Sequence, residues 1–412
     1  MKRIAFILFF SLLALVSLSA CGKQGPDSPD PEPDKEFVPI ALTKAEAEIG
    51  QASNQFGFDI YHKIYESKDM LLSPLSLSLA LSMAANGAEG TTAEQMLSTL
   101  GFAGKDKEAM NTYYQKMTAG LLEADPKTTF EVANSIWADE KIGVKKSFTD
   151  ITKKYFNSEV YSADFKTQAT VNAINKWCSD KTHGKINSIM DKPDPNLVMA
   201  LINALYFKGE WSFEFNDKTK KEDFTDLNGG KAKVDMMSAE EKLLYAEKDG
   251  YSMVRLPYGN GAFSMDVILP PKGKDFGEAV AAFNAGSFEN LDYGMSNAIV
   301  NLKLPKFTFE YTTSLVSALQ ALGMKQAFTN NADFSAMAEK SLKISTVMQK
   351  TFIDVNEKGT EAAAVTFIGF TTTAVGPSHE PRRVDFFADR PFLFLIRENS
   401  TGAILFIGQK VK

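Results

Sequence analysis

An α+β fold in a single domain is what the sequence predicts for residues 42–412, and three observations carry that expectation. Capped, amphipathic segments crowd the first third of the chain. Long apolar runs rich in β-branched and aromatic residues dominate from Val198 onward, and the two kinds do not alternate as a βαβ fold requires. Beyond residue 40 there is no second Pro-, Ser- or Gly-rich break and no internal repeat, so one large domain fits better than the two that length alone would allow.

The expected elements follow in chain order. Residues 54–65 carry Phe56, Ile60 and Ile64 at helical spacing. "SPLSLSLALSMAANGA" opens with Ser73 as an N-cap and Pro74 at the first helical position, where a missing N–H costs nothing. "TTAEQMLSTLGF" offers two overlapping capping boxes, Thr91 with Glu94 and Thr92 with Gln95, and a stop at Gly101. Further helices are expected over residues 110–122, 147–155, 167–182 and 313–322. "NLVMALINALYFKGEW" is apolar on both faces, as a central strand of a covered sheet should be. "FSMDVILP", "IVNLKLPKFTFEY", "PFLFLIREN" and "GAILFIGQK" each read as a strand bounded by turn residues.

Residues 1–20 read as a signal peptide rather than as part of the fold. Lys2 and Arg3 precede the apolar run 4–16, which is short for a membrane span but right for a signal-peptide core. "LSAC", Leu18 to Cys21, resembles the bacterial lipobox; the alternative is an ordinary signal peptide cut after Ala20. Residues 21–41, "CGKQGPDSPDPEPDKEFVPIA", form a Pro- and acid-rich tether that cannot build a core. The lipobox resemblance implies acylation of Cys21 and an exported bacterial lipoprotein. Two or more acyl chains would hold it to the outer membrane, at the cell surface or the periplasmic face.

Composition excludes several classes of function. Loss of Lys2 and Arg3 moves the formal charge from −6 to −8, which argues against nucleic acid as a partner. Beyond Cys21 the chain has one cysteine, Cys178, so no disulfide is expected. Cys178 reads as a buried inert thiol, because nothing near it in sequence would lower its pKa. The three histidines are His62, His183 and His379, and no HExxH, CxxC, GxSxG or Walker-type pattern occurs. His183 reads as a solvated residue at a helix end, and Glu240 with Glu241 as a wet face. No nucleophile, base and orienting group assemble, so neither catalysis nor a metal or cofactor is expected, and binding or mechanical work remains.

One segment carries conflicting instructions. In "NEKGTEAAAVTFIGFTTTAVGPS", residues 356–378, Glu361 and three alanines favour helix, whereas Val365, Thr366, Phe367 and Ile368 favour strand. No charge follows Glu361 within it. By itself it reads as a short helix running into a buried strand. Strand parity adds a second pattern. If Thr360 points inward, so do Ala362, Ala364, Thr366 and Ile368, while Glu361, Ala363, Val365 and Phe367 point outward and the only charge stays in water.

Nine blocks in order resemble the serpin family, from residue 54 to the C-terminus. They are "LLSPLSLSLALSMAANGAEGTTAEQMLSTLGF", "ANSIWADEKIGVKKSF", "INKWCSDKTHGKI", "LINALYFKGEW", "VRLPYGNGAFSMDVILP", "VNLKLPKFTFEY", "ADFSAM", "TFIDVNEKGTEAAAVT" and "DRPFLFLIRENSTGAILFIGQ". The resemblance implies a serpin fold: a large central mixed β-sheet, two further sheets, about nine helices and an exposed reactive-centre loop. It also implies a mechanism that answers the puzzle of residues 356–378. A target protease cuts the loop, whose front half then inserts as a strand in the large sheet.

Site residues follow from the same resemblance. The hinge and inserting loop would comprise Glu357, Gly359, Thr360, Glu361, Ala362, Ala363, Ala364 and Thr366, with Gly359 supplying a permissive backbone at the pivot. Inhibitory serpins resemble this alanine-rich hinge, whereas non-inhibitory members often carry bulky, charged or proline residues there. In the family the cleaved bond lies about seventeen residues along from the hinge glutamate. Counting from Glu357 places it between Thr373 and Ala374, which suits an elastase-like or subtilisin-like enzyme with a shallow primary pocket. Phe370 is a rival for a chymotrypsin-like target, and the stretch 374–391, with Pro377 and Pro381, is longer than in many relatives. Lys306 and Trp211 resemble contacts of Glu357 at the top of the sheet, and Ser73, Ser76, Asn203 and Gln349 a polar cluster where strands part. Gln349 stands where the family often has histidine, and it donates and accepts without titrating.

The resulting expectation is a monomeric suicide inhibitor that forms a covalent 1:1 complex with a serine protease, with cross-class action on cysteine proteases as a variant. The alternative is a non-inhibitory serpin that acts as a binding protein.

Overall fold

The computed structural model describes residues 36–216, 219–360 and 381–412. Phe37, Ile40 and Leu42 already pack on the core. Thr43 then opens α1 (Lys44–Lys63) with a complete capping box: its hydroxyl accepts from Glu46 N–H while the Glu46 carboxylate accepts from Thr43 N–H. The helix starts ten residues before the apolar spacing at 54–65, because its first turns are largely polar and exposed. β1 (Met70–Leu72) leads into α2 (Pro74–Ala85), where Ser73 caps Ser76 N–H and Pro74 takes the first position. Every residue of α2 is buried, and the helix packs on strands of both sheets.

α3 (Gly90–Thr99) has no side-chain cap. Both side chains expected in its second capping box serve tertiary contacts instead. The Thr92 hydroxyl accepts from Asp333 N–H, and the Gln95 carbonyl from Lys325 and Gln326 N–H. The next elements are α4 (Lys107–Glu123), β2 (Thr129–Asp139), α5 (Lys146–Phe156), β3 (Glu159–Ala163) and α6 (Gln168–Lys181). Asp106 and Thr167 cap α4 and α6. The second half holds β4 (Met199–Glu210), β5 (Lys220–Thr225), β6 (Lys231–Lys248), β7 (Tyr251–Tyr258), β8 (Phe263–Leu269), α7 (Phe276–Ala282) and α8 (Ala285–Tyr293). It closes with β9 (Ser296–Pro305), β10 (Phe307–Ser314), α9 (Val316–Ala321), a 3-10 turn, β11 (Thr346–Asn356), β12 (Gly359–Thr360), β13 (Arg382–Phe387), β14 (Phe392–Glu398) and β15 (Ile404–Lys410).

A six-stranded mixed sheet has the order β10-β11-β12-β4-β2-β3, with β4 parallel to β11 and β2 parallel to β3. The two further sheets are hydrogen-bonded into one of nine strands, ordered β1-β15-β14-β8-β7-β6-β9-β13 with β5 branching from β6. The 18-residue β6 joins them: its start pairs with β5, its middle with β9 and its end with β7. β8, β14 and β15 are buried at every position, so this part of the sheet is covered on both faces.

Two other expectations shift. "IVNLKLPKFTFEY" is two strands in different sheets, β9 and β10, turning at Lys306, whose N–H donates to Asp235 O. Period-2 alternation holds on each side, but its phase slips by one residue at the turn: the buried positions are even-numbered up to Leu304 and odd-numbered from Phe307. α9 is confined within 313–322 because Thr313 and Ser314 still pair with Gln349 and Met348 in the β10–β11 ladder.

Candidate functional site

The site lies along the seam between β4 and β11. These strands run parallel, and at one end residues Thr346 to Lys350 pair with Ala200 to Ala204. At the other end β12 sits between them, antiparallel to both: Thr360 lies opposite Val355 and Gly209, and Gly359 opposite Asn356 and Glu210. Between these ends, residues 351–354 and 205–208 have no ladder partner across the seam among the described residues. The sheet is closed at one end and wedged open at the other. Under the gap, Phe207, Phe352, Ile353 and Phe406 line a crevice too narrow for a water molecule, bounded by Thr360.

The wedge depends on two residues. Gly359 has φ +150°, and a Cβ there would lie 2.1 Å from Gly209 O, so no larger residue fits. Thr360 is 2% exposed, with its hydroxyl 2.6 Å from that of Tyr258. Thr360 therefore points inward, the condition on which the alternation of the following residues rests. Glu361, Ala362, Ala363, Ala364, Thr366, Phe370, Thr373 and Ala374 lie outside the described residues, as does Cys21.

A clamp holds the segment just before the wedge. Lys306 Nζ stands 2.8 Å from the Glu357 carboxylate, which also accepts from the Thr219 hydroxyl. Partial burial would raise the Glu357 carboxyl, but the Lys306 and Thr219 bonds outweigh it and hold it below the usual carboxylate range. Lys306 reaches this point because it is the residue on which the chain crosses from β9 to β10. Trp211 Nε1 donates to Asn356 O at 2.9 Å, and its backbone N–H donates to Lys358 O at 3.0 Å. Its ring stacks on Tyr258 with centroids 4.5 Å apart and planes 11° from parallel. Gly209 leaves room for that tyrosine, since a Cβ would come within 2.9 Å of its ring. Burial pushes the Tyr258 phenol far above its ordinary value, so it remains a neutral hydrogen-bonding partner for Thr360.

Ser73, Ser76, Asn203 and Gln349 meet at the closed end, and all four are buried. Gln349 Nε2 donates to Ser73 O and to Asn203 Oδ1, both at 3.0 Å, and its Oε1 accepts from Ser73 N–H at 2.8 Å. The Asn203 amide donates to Ser76 and to Asn134. Gln349 and Asn203 are direct partners across the seam. A strand entering there would add about 4.8 Å between β4 and β11, so the Gln349–Asn203 bond has to break first.

Tyr258, Thr219 and Asn134 belong to the site but were not among the residues singled out from the sequence. Asn134 could have been found as one of two adjacent polar residues in the otherwise apolar run "VANSIWA". Tyr258 carries no local signal, because its partner Thr360 is 102 residues away. Elsewhere, Cys178 is buried and its thiol is pushed up to about 12 by desolvation. His183 adopts φ +49° just after α6, with Nε2 3.1 Å from Glu131.

A mixed sheet with a strand-wide opening, and a glycine-pivoted segment already started into it, defines the serpin class. Residues 51–412 match the family described as serpin (serine protease inhibitor), and the chain belongs to that family. It is 32% identical to a serpin-like protein of Methanosarcina mazei, over 99% of this chain and 98% of that one. It is 34% identical to Iripin-2 of the tick Ixodes ricinus, over 90% and 95%. Among solved structures, the native state of the thermophilic serpin tengpin superposes with a TM-score of 0.81 at 34% identity, covering 92% of this chain and 97% of that one. Serpin48 of the insect Tenebrio molitor superposes at 0.79 with 29% identity, covering 90% and 100%.

Proposed function

We propose that the protein is a suicide-substrate inhibitor of serine proteases. The observation that carries this reading is β12: the chain is already threaded between β4 and β11 at Gly359–Thr360, above a stretch of seam that has no ladder partners among the described residues. Cleavage between Thr373 and Ala374 would free residues 361–373 to continue the strand. The small inward residues Ala362, Ala364 and Thr366 would follow Thr360 into the sheet. An acylated protease would be dragged along. A dozen new ladder hydrogen bonds at about 1 kcal/mol net each give a gain comparable to the 5–15 kcal/mol, roughly, that holds a protease domain together. Distortion of the protease active site then strands the acyl-enzyme.

A small neutral residue before the cut favours elastase-like or subtilisin-like targets. Cys21 is the proposed lipid attachment point, placing the inhibitor at a bacterial membrane surface as a monomer on its tether.

The test is incubation with pancreatic and neutrophil elastase, a subtilisin, trypsin, chymotrypsin and papain. The expected result is an SDS-stable 1:1 complex with an elastase-like or subtilisin-like enzyme, and a released fragment beginning at Ala374. Cleavage without a complex by every enzyme in the panel would favour a non-inhibitory binding protein. A complex formed only with papain would move the target class to cysteine proteases.

A further inference from the structure

The seam between β4 and β11 has a charged rim on its outer face. Thr360 pairs with Gly209 and Val355, and these residues share the buried inner face with Phe207 and Ile353. Strand alternation therefore turns Lys208 of β4 and Asp354 of β11 outward, at the first position beyond the wedge. Beside β12 the two strands stand two spacings apart, about 9.6 Å, which is room for one more residue between them.

Both side chains are partly buried, but only one is engaged. Asp354 Oδ1 accepts from the Thr308 hydroxyl of β10 at 2.6 Å, on the side away from the seam. Lys208 has no ion pair and no side-chain hydrogen bond among the described residues. Glu131, which lies on β2 opposite Tyr206, is held 3.1 Å from His183 Nε2. A partly buried ammonium without a partner gives up hydration and gains nothing in exchange.

The register supplies the partner. Continued by one residue, the pairing of Gly359 and Thr360 sets position 361 directly opposite both Lys208 and Asp354. That residue is Glu361, the only charged residue from 361 to 378. Thr360 ends the described stretch 219–360, one residue before this point. We propose that Lys208 is a positioning residue for insertion: its ammonium receives the Glu361 carboxylate as the strand advances past the wedge, and the contact biases the cut loop towards the sheet. This inference rests on the inhibitory reading and names a residue that serves it. Asp354 opposes the pair as a like charge across from Glu361, and its bond to Thr308 draws it aside.

The test measures the ratio of SDS-stable complex to cleaved inhibitor with a protease that gives a complex, and guanidinium unfolding of the cut and uncut chains. Lys208→Met keeps the apolar stem without the charge and is expected to lower the ratio about two- to fivefold. Lys208→Glu should lower it further, and Lys208→Glu combined with Glu361→Lys should return it to within about twofold of the native value. Asp354→Asn keeps an acceptor for Thr308 and should raise the ratio. Because the pair forms only on insertion, Lys208→Met should lower the unfolding midpoint of the cut chain and leave that of the uncut chain unchanged. An unchanged ratio in Lys208→Met, a charge swap that restores nothing, or equal losses of stability in cut and uncut chains would each overturn the proposal. A cut chain that is stabilised yet indifferent to Lys208 would overturn this proposal alone. No complex with any protease and no gain in stability on cutting would overturn the inhibitory reading and this proposal with it.

Discussion

Thr360 and Glu357 concentrate the mechanism in two side chains. Thr360 is enclosed by Tyr258 and the apolar crevice, so a guanidinium in its place would be buried without a partner. Thr360→Arg is expected to convert the inhibitor to a substrate: cleavage persists, and the SDS-stable complex falls to a minor product on a gel. Glu357 supplies a pH dependence. Its carboxyl sits below its unfolded value, so the clamp contributes stability fully above an unfolded pKa of about 4.3 and loses it as pH falls through the lower folded value. The protection factors of the Lys358 and Thr360 amides, measured against the intrinsic exchange rate at each pH, should therefore fall on acidification below that range. Glu357→Gln should exchange faster at neutral pH and lose the acid step. Lys306 and Trp211 could be read from the sequence because they sit in blocks shared with a family, and Gln349 because it lies two residues before one. Tyr258 also sits in such a block but nothing local marks its role, and Thr219 sits in none; only the folded chain brings them to residues more than 100 positions away.

The seam shows which elements local rules reach. Ser73 and Pro74 start α2 as capping rules require, because nothing else competes for the Ser73 hydroxyl. The same rules mislead at α3, where Thr92 and Gln95 are claimed by backbone from 230 to 241 residues away. The β9–β10 crossing leaves only a one-residue slip of the alternation at Pro305, which does not record which sheet each strand joins, yet that crossing delivers Lys306 to Glu357. The lock at the closed end of the seam is likewise a product of pairing, since Gln349 and Asn203 face each other only in the β4–β11 register. Gln349→Ala would leave the buried Ser73 N–H unfilled and remove the tie across the seam. Equilibrium denaturation of the uncut protein should show a loss of about 1–3 kcal/mol. Gln349→His should keep part of that stability while introducing a dependence on pH near 6.5 that the native glutamine lacks.

At the scale of the whole molecule, the α+β class was legible from periodicity. The joining of two sheets through β6 was not, because an 18-residue strand with mixed burial gives no single period-2 signal. Among the described residues the seam between β4 and β11 has a strand position filled only by Gly359–Thr360, and the central claim of the proposal is that the uncut chain is less stable than the chain with that position filled. One measurement tests this most directly: thermal unfolding of the protein before and after a single cut between Thr373 and Ala374. A gain near 10 kcal/mol in a chain this long corresponds to a rise on the order of 10 °C or more. The account predicts that rise, and an unchanged or lowered melting temperature in the cut protein would contradict it.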